Sequence, residues 1–364
     1  MDAIFSKEAF SKRLEMLRNQ LAKKQVDAIL ITKRENYMYL SGFTGTSAQL
    51  VITENDAVLV TDFRYVEQAS KQAPLFDIVG YTGDIADEIN NILKRKNVKK
   101  LGFESENVTY SLYRKYSEKL GVRELVPLND TVESLRMIKD SEEINYIKEA
   151  VRIADEAFEH ILKFIKPGVR ETEISAELDY FMKKQGGQGP SFDFIVASGT
   201  RSAMPHGVAS DKIIETGDVI TMDYGTIYHG YCSDITRTVF LGEPDKKMME
   251  IYKIVLSAQE EALKNARKGM KGKEVDSIAR NIIKEAGYGE NFGHSLGHGV
   301  GLEIHENPRF APSSDMVMEN GMVVTVEPGI YLEGFGGVRI EDMIIIRDDN
   351  PEIITHAPKE PIII

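Results

Sequence analysis

The chain has a single cysteine, Cys232, among 364 residues, so no internal disulfide can form and the composition suits a reducing compartment better than a secreted framework. Long apolar runs are missing as well. None approaches the roughly 18 residues needed to cross a bilayer as a helix. Positive charge is in deficit, with a net charge of −12, so no broad field exists to hold phosphate backbones or anionic lipid. Neither nucleic acid nor a membrane is an expected partner. What is present, 42% hydrophobic and 28% charged residues, is enough for two domains with cores of their own. Near the start, Phe10, Leu14, Leu17 and Leu21 recur at helical intervals among charges. That pattern predicts a first helix and resembles neither a signal nor a transit peptide, which together with the lone cysteine predicts a cytoplasmic protein.

From residue 27 to about 128, β-rich runs (DAILIT, AVLVTD, FDIVGY, KKLGFE, ELVPL) alternate with polar helical patterns (DIADEINNILKRK, SLYRKYSEKL), predicting a small α/β domain. Within it, YMYLSGFTGTSAQL reads as a structural loop, and no catalytic set is visible. Next, Asp140 is placed to cap a helix with Glu143 reaching back. Ile144, Ile147, Val151, Ala154, Phe158, Ile161 and Ile165 then line one face, and Pro167-Gly168 is the expected stop. This helix opens a second domain, giving expected boundaries of 1–128 and 129–364. A weak internal echo relates KPGVRETEIS (166–175) to RKGMKGKEVD (267–276), which suggests two similar α/β halves facing across a cleft.

The chemistry-bearing residues cluster in the second domain. MDYGTIYHGYCSDITRTV carries Asp223 and Asp234 on either side of an expected turn at His229-Gly230. Alternation puts Asp234 and Thr236 on one face and Arg237 on the other. Taken singly, either aspartate reads more simply as a turn cap or as a partner of Arg237. The pattern recurs, however: Glu327 ends a five-residue hydrophobic run in MVVTVEPGIYL, and Glu341 lies between Ile340 and three isoleucines, so both glutamates are expected on buried strands. Two carboxylates about 4 Å apart repel by about 4 kcal/mol at an effective dielectric of ~20, so several in one pocket must be protonated, dispersed or neutralised by cations.

Histidine is scarce, seven in all, yet FGHSLGHGVGLEIHENP holds His294, His298 and His305. The spacing of the first two is that of a helical zinc motif, but no glutamate follows His294, and the glycines at 297, 299 and 301 discourage a helix. Four carboxylates and one imidazole form a hard donor set that suits a pair of manganese, cobalt, iron or zinc ions. Such a pair acidifies a bridging water towards a pKa of about 7, so hydrolysis is the natural reaction class.

At this point the chain resembles the creatinase, prolidase and aminopeptidase P family over essentially its whole length. HSLGHGVGLEIHE (294–306) completes the family's histidine pattern, and MDYG, SDITRT, TVEPG and VRIED match its other metal-binding segments. The resemblance implies an α/β fold in which a creatinase-like N-terminal domain precedes a pita-bread (duplicated α+β) catalytic domain. It implies two divalent ions, Mn2+ foremost, with Asp223 on one, His298 and Glu327 on the other, and Asp234 and Glu341 bridging. It further implies Glu327 as a proton shuttle and His206, His294 and His305 as groups contacting the substrate, with Arg339 near the cleft. The substrate implied is a peptide with proline in second position, cleaved before the proline, and the protein implied is a homodimer. Dipeptidase and aminopeptidase action both fit. A metal-free peptide-binding relative or a creatinase-like amidinohydrolase on the same fold is the alternative, against which the complete ligand set speaks; methionine aminopeptidase lacks the N-terminal domain.

Overall fold

A computed structural model describes residues 4–364, which form two compact units divided between Arg136 and Met137. In the first, helix α1 (Lys7–Lys24) is capped by the Ser6 hydroxyl and buries Phe10, Leu14, Leu17 and Leu21. A six-stranded mixed sheet follows, built from β1 (Ala28–Ile31), β2 (Ala48–Thr53), β3 (Ala57–Asp62), β4 (Asp77–Tyr81), β5 (Lys100–Glu104) and β6 (Glu124–Leu128) in the order β4-β3-β2-β1-β5-β6. Helix α2 (Arg34–Ser41) follows β1; α3 (Val66–Gln72), α4 (Ile85–Arg95) and α5 (Tyr110–Lys119) follow β3, β4 and β5; α6 (Glu133–Arg136) closes the unit.

The segment expected to be a loop is corrected. Its YMYLS is the end of α2 and its AQL the start of β2, so only 42–47 connects them. Tyr37, Met38, Tyr39 and Leu40 are all buried, so the helix has no polar stripe from which a period could be read. Gly42, at φ 81°, ends that helix, and a Cβ there would lie 2.5 Å from the Phe10 ring.

The second unit opens with α7 (Ser141–Ile161), where Asp140 accepts the Glu142 and Glu143 amides at 2.9 Å and Glu143 reaches back to the Asp140 amide. The helix ends before Pro167, because Lys163 and Phe164 bond three residues back, to His160 and Ile161, and tighten the last turn. Helix α8 (Glu171–Lys184) and strands β7 (Ile195–Ser198), β8 (Val219–Tyr224), β9 (Ile227–Tyr228), β10 (Tyr231–Cys232) and β11 (Ile235–Phe240) complete the first half. The second half repeats the scheme with α9 (Lys246–Asn265), α10 (Gly272–Glu285), β12 (Gly297–Gly299), β13 (Glu306–Phe310), β14 (Val323–Val326), β15 (Gly329–Leu332), β16 (Gly336–Arg339), β17 (Asp342–Ile345) and β18 (Glu352–Ile353).

The sequence echo has a structural basis. Gly168 (φ 95°) and Gly269 (φ 87°) both turn the chain between paired helices, and their amides bond to Ile214 and Met318. Two residues later the Arg170 and Lys271 amides each donate to the carboxylate three positions on, Glu173 and Glu274, at 2.8 Å. Each helix pair covers one sheet: Phe158 and Leu178 pack with Met222 and Val239, and Val255 and Val275 pack with Val324 and Ile344. Burying such side chains supplies about 1.5–3 kcal/mol each and fixes the strands whose ends carry the polar residues. Among the described residues no helix is long and apolar enough to cross a membrane.

Candidate active site and metal centre

Two interrupted hairpins bring the carboxylates together. In the first, Asp223 pairs with Thr236, and beyond a short gap Tyr228 pairs with Tyr231 in the same register. Continuing that register places Asp234 opposite Gly225, so Asp223 and Asp234 lie diagonally on one face. The strands close so tightly here that a Cβ on Gly225 would fall 1.9 Å from the Ser233 carbonyl oxygen. His229 (φ 46°) and Gly230 (φ 85°) form the two-residue turn with both φ positive that a twisted hairpin requires.

The second hairpin repeats the device. Val326 pairs with Asp342 and Gly329 with Arg339, and the register is unchanged across the break made by Pro328 and Ile340. Glu327 therefore stands directly opposite Glu341. Neither glutamate lies within a strand, which corrects the expectation from their apolar neighbours; both occupy the break, where proline offers no N–H to the ladder. Like charges directly opposite each other destabilise a sheet, so this placement needs a compensating proton or cation.

His298, on β12, joins them. Its Nδ1 faces the Gly299 carbonyl at 3.1 Å, which places the proton there and turns the Nε2 lone pair towards Glu327 Oε1 (3.3 Å) and Asp234 Oδ2 (3.5 Å). Asp234, His298 and Glu341 offer donor atoms within 4.8 Å of one another. Asp223 is turned to Arg339, whose Nη2 donates to Oδ2 at 2.6 Å. Two buried carboxylate oxygens, Asp223 Oδ1 and Glu341 Oε1, have no hydrogen-bond partner at all. Unpaired buried carboxyl oxygens beside an imidazole lone pair fit hard divalent cations and fit little else.

The nine residues singled out from sequence, Asp223, Asp234, His298, Glu327, Glu341, His206, His294, His305 and Arg339, all line one cavity of about 440 Å³. Arg237 points to the other side of its strand, where it pairs with Asp342 at 2.7 Å, so the simpler reading of Asp234 as its partner does not apply. The His305 ring stands edge-on to His298 with centroids 4.3 Å apart. His206 follows the turn Gly199–Ala203.

Sequence reasoning missed the supports. Tyr331 receives the Arg339 Nη1 proton (2.9 Å) and donates its own to His294 Nε2 (2.9 Å); Thr325 Oγ1 accepts the His298 amide and donates to Glu327; Thr236 Oγ1 donates to Glu341 at 2.7 Å. The signal was available for two of these, since Thr325, Glu327 and Tyr331 share one parity along the strand. The apolar wall of Phe192, Ile195, Val208 and Ile304 carried none.

Burial, reinforced by the neighbouring carboxylates, pushes Asp234 and Glu341 well above the usual acid range, and burial raises Glu327 to about 8. Burial lowers His298 to about 3 and His294 to about 4, and it lowers His305 as well. The His298 contacts are therefore not ion pairs near neutral pH.

These shifts fix a pH dependence. A carboxyl raised from 4.5 to about 8 holds a proton in the folded, metal-free state that the unfolded chain has lost, so its contribution falls as pH rises through that window. The lowered histidines act oppositely, losing stability as pH falls below 6.5 towards 4 and 3. Above 6.5 only the carboxyl slope remains. The metal-free protein is thus expected to lose thermal stability from pH 6.5 to 8, and metal binding at pH 7 to release about one proton or more per chain. Calorimetry in buffers of different ionisation enthalpy measures that release; binding without it contradicts protonated carboxyls.

Residues 145–348 match the metallopeptidase family M24, and residues 13–138 match the creatinase/prolidase N-terminal domain. A Xaa-Pro dipeptidase from Pyrococcus furiosus is 44% identical over 96% of this chain and 99% of its own. The structure of a Xaa-Pro dipeptidase from Bacillus anthracis superposes with a TM-score of 0.96 at 53% identity, covering 98% of this chain and 100% of that one. An X-Pro aminopeptidase from Thermotoga maritima gives a TM-score of 0.91 at 44% identity, covering 97% and 100%. The second unit accordingly has the pita-bread fold, and in sequence it follows a creatinase-like N-terminal domain.

Proposed function

Since the chain belongs to metallopeptidase family M24, we propose that it hydrolyses the peptide bond preceding proline, using two divalent metal ions, Mn2+ foremost. The observation that carries this reading is the convergence of Asp223 Oδ1 and Glu341 Oε1, buried and unpaired, on a cavity that also holds Asp234, Glu327 and the His298 lone pair. In this assignment Asp223 would hold one ion, His298 and Glu327 would hold the other, and Asp234 and Glu341 would serve both. When bound, the ions would supply Lewis acidity at the scissile carbonyl and a water acidic enough to attack it near neutral pH.

The remaining work falls to the chain. Glu327, which lines the cavity beside His298 and would be ionised once a cation is bound, is suited to take a proton from the attacking water and return it to the leaving nitrogen. Thr325 orients it. His206, His294 and His305 line the cavity as hydrogen-bonding groups for the substrate and its tetrahedral adduct. The bond before proline is a tertiary amide with no N–H to grip, so recognition must come from the ring. Phe192, Ile195, Val208 and Ile304 offer it an apolar wall. The proposal extends to a homodimer, as the resemblance implies, in the cytoplasm, as the lone cysteine and the N-terminal pattern suggest.

Turnover of Ala-Pro and of Arg-Pro-Pro with added Mn2+ tests the reading. Cleavage of the dipeptide alone makes the protein a dipeptidase and cleavage of the longer peptide alone an aminopeptidase; cleavage of neither, in metal-loaded protein, ends the proposal. His206→Ala is expected to retain both ions and lower kcat about a hundredfold, the usual scale for a positioned acid-base or hydrogen-bonding group. Loss of metal in that variant would mean that His206 is a ligand.

A further inference from the structure

Two of the proposed substrate-contacting histidines ride on irregular segments, which need restraint if they are to hold a reacting group within a fraction of an ångström. In each half of the catalytic unit one buried carboxylate provides it. Glu171, the first residue of α8, is fully buried at 0% exposure. Its Oε1 accepts the amide and hydroxyl of Ser198, both at 2.8 Å; its Oε2 accepts the amide (3.1 Å) and hydroxyl (2.7 Å) of Ser210 and a proton from the Arg201 guanidinium. Arg201 passes the restraint on to the Val208 carbonyl at 2.9 Å. One carboxylate thus ties down both ends and the middle of the segment that carries His206.

The second half has the same device on different residues. Asp276, in α10, is 1% exposed and takes the Arg280 guanidinium in a two-bonded fork at 2.7 and 2.9 Å, with the Leu296 amide at 3.1 Å. Arg280 then donates to the carbonyls of Phe292 (2.9 Å) and His294 (2.8 Å) and lies over the Phe292 ring. Residues 292, 294 and 296 are stitched to one helix. The repeat did not copy this clamp, because the position matching Glu171 by the internal echo is Gly272, whose Cβ would collide with the Arg309 carbonyl at 2.1 Å.

We propose that Glu171 and Asp276 are positioning residues, each holding one histidine-bearing segment in the geometry the hydrolytic cavity requires. Charge-assisted bonds in a dry interior are the strongest available, so neutralising either carboxylate should loosen its own segment and leave the other alone. The kinetic part of this inference rests on the proposed function; the structural part does not.

Hydrogen exchange on the metal-free protein tests the structural part. Glu171→Gln should speed exchange across 198–210 about tenfold or more and leave 292–296 at the wild-type rate, and Asp276→Asn should do the reverse. Should either variant fail to fold, Ser210→Ala and Arg280→Lys weaken the same clamps more gently and must show the same selectivity. Equal loosening of both segments, or of neither, overturns the proposal. In the kinetic arm, Glu171→Gln should lower kcat about tenfold with KM within about twofold, and should cost nothing further in a His206→Ala background. An equal loss in both backgrounds would show that Glu171 does not act through His206. If the wild-type protein cleaves no Xaa-Pro substrate, the function reading fails and the exchange result alone decides the clamps.

Discussion

Asp234→Asn is expected to abolish full metal loading and to lower turnover by at least about a thousandfold, the upper scale for removing one preorganised electrostatic contact, while the metal-free fold loses less than about 1 kcal/mol. The asymmetry follows from the protonation state. With the cavity free of cations, burial and the neighbouring carboxyl groups of Glu341, Asp223 and Glu327 push the Asp234 carboxyl well above its ordinary range, which favours its neutral form. Asparagine has the same shape and no charge, and the metal-free protein meets almost no change. A cation, by contrast, needs the carboxylate. The competing view makes Asp234 a structural partner of His298, 3.5 Å away. That view predicts a lower melting temperature without metal and unaltered metal content. Metal analysis together with thermal melts in chelator separates the two, and near-normal turnover at full metal content would refute the ligand assignment.

Much of this site is legible in the sequence because its residues contradict their surroundings. Asp223, Glu327 and Glu341 interrupt apolar, β-prone runs, and no local rule of strand formation accounts for them. What the sequence conceals is how they meet. That Glu327 faces Glu341 depends on a ladder register preserved across the Pro328 break, a tertiary fact that no window of residues contains. Tyr331 and Thr325 were within reach of a period-2 reading, whereas Phe192 and Ile304 are ordinary apolar residues whose place in the cavity comes from the fold alone. The fold divides in the same way. Strands bounded by turn residues and helices with one apolar face are visible, as with α4 and its buried Ile89 and Leu93. Helix α2, buried around most of its circumference, has no polar face to betray its period and was legible only as an aromatic, glycine-flanked loop.

Arg339→Met should cost the metal-free protein about 3–5 kcal/mol, the range for removing one partner from a buried charge pair. Arg339 is 3% exposed and donates to Asp223 at 2.6 Å, to the Tyr331 hydroxyl at 2.9 Å, and to Thr236 and the Pro205 carbonyl at 3.2 Å. Burial opposes its charge, yet Tyr331, Asp223 and Glu327 around it outweigh that penalty and hold the guanidinium firmly protonated. It lines the cavity together with a second guanidinium, Arg309, and through Tyr331 it also fixes the ring of His294. Methionine fills the space and leaves the Asp223 carboxylate with no donor. Lysine keeps the charge and loses the fork, so Arg339→Lys should fall between the two. Because the proposed divalent ions would bind beside the same carboxylate, saturating Mn2+ should recover part of the loss, and the gap between metal-free and metal-loaded urea midpoints should be wider in Arg339→Met than in the wild type. A methionine variant within about 1 kcal/mol of wild type without metal would show that the carboxylates are not balanced by this arginine, and the electrostatic account of the cavity would need another counter-charge.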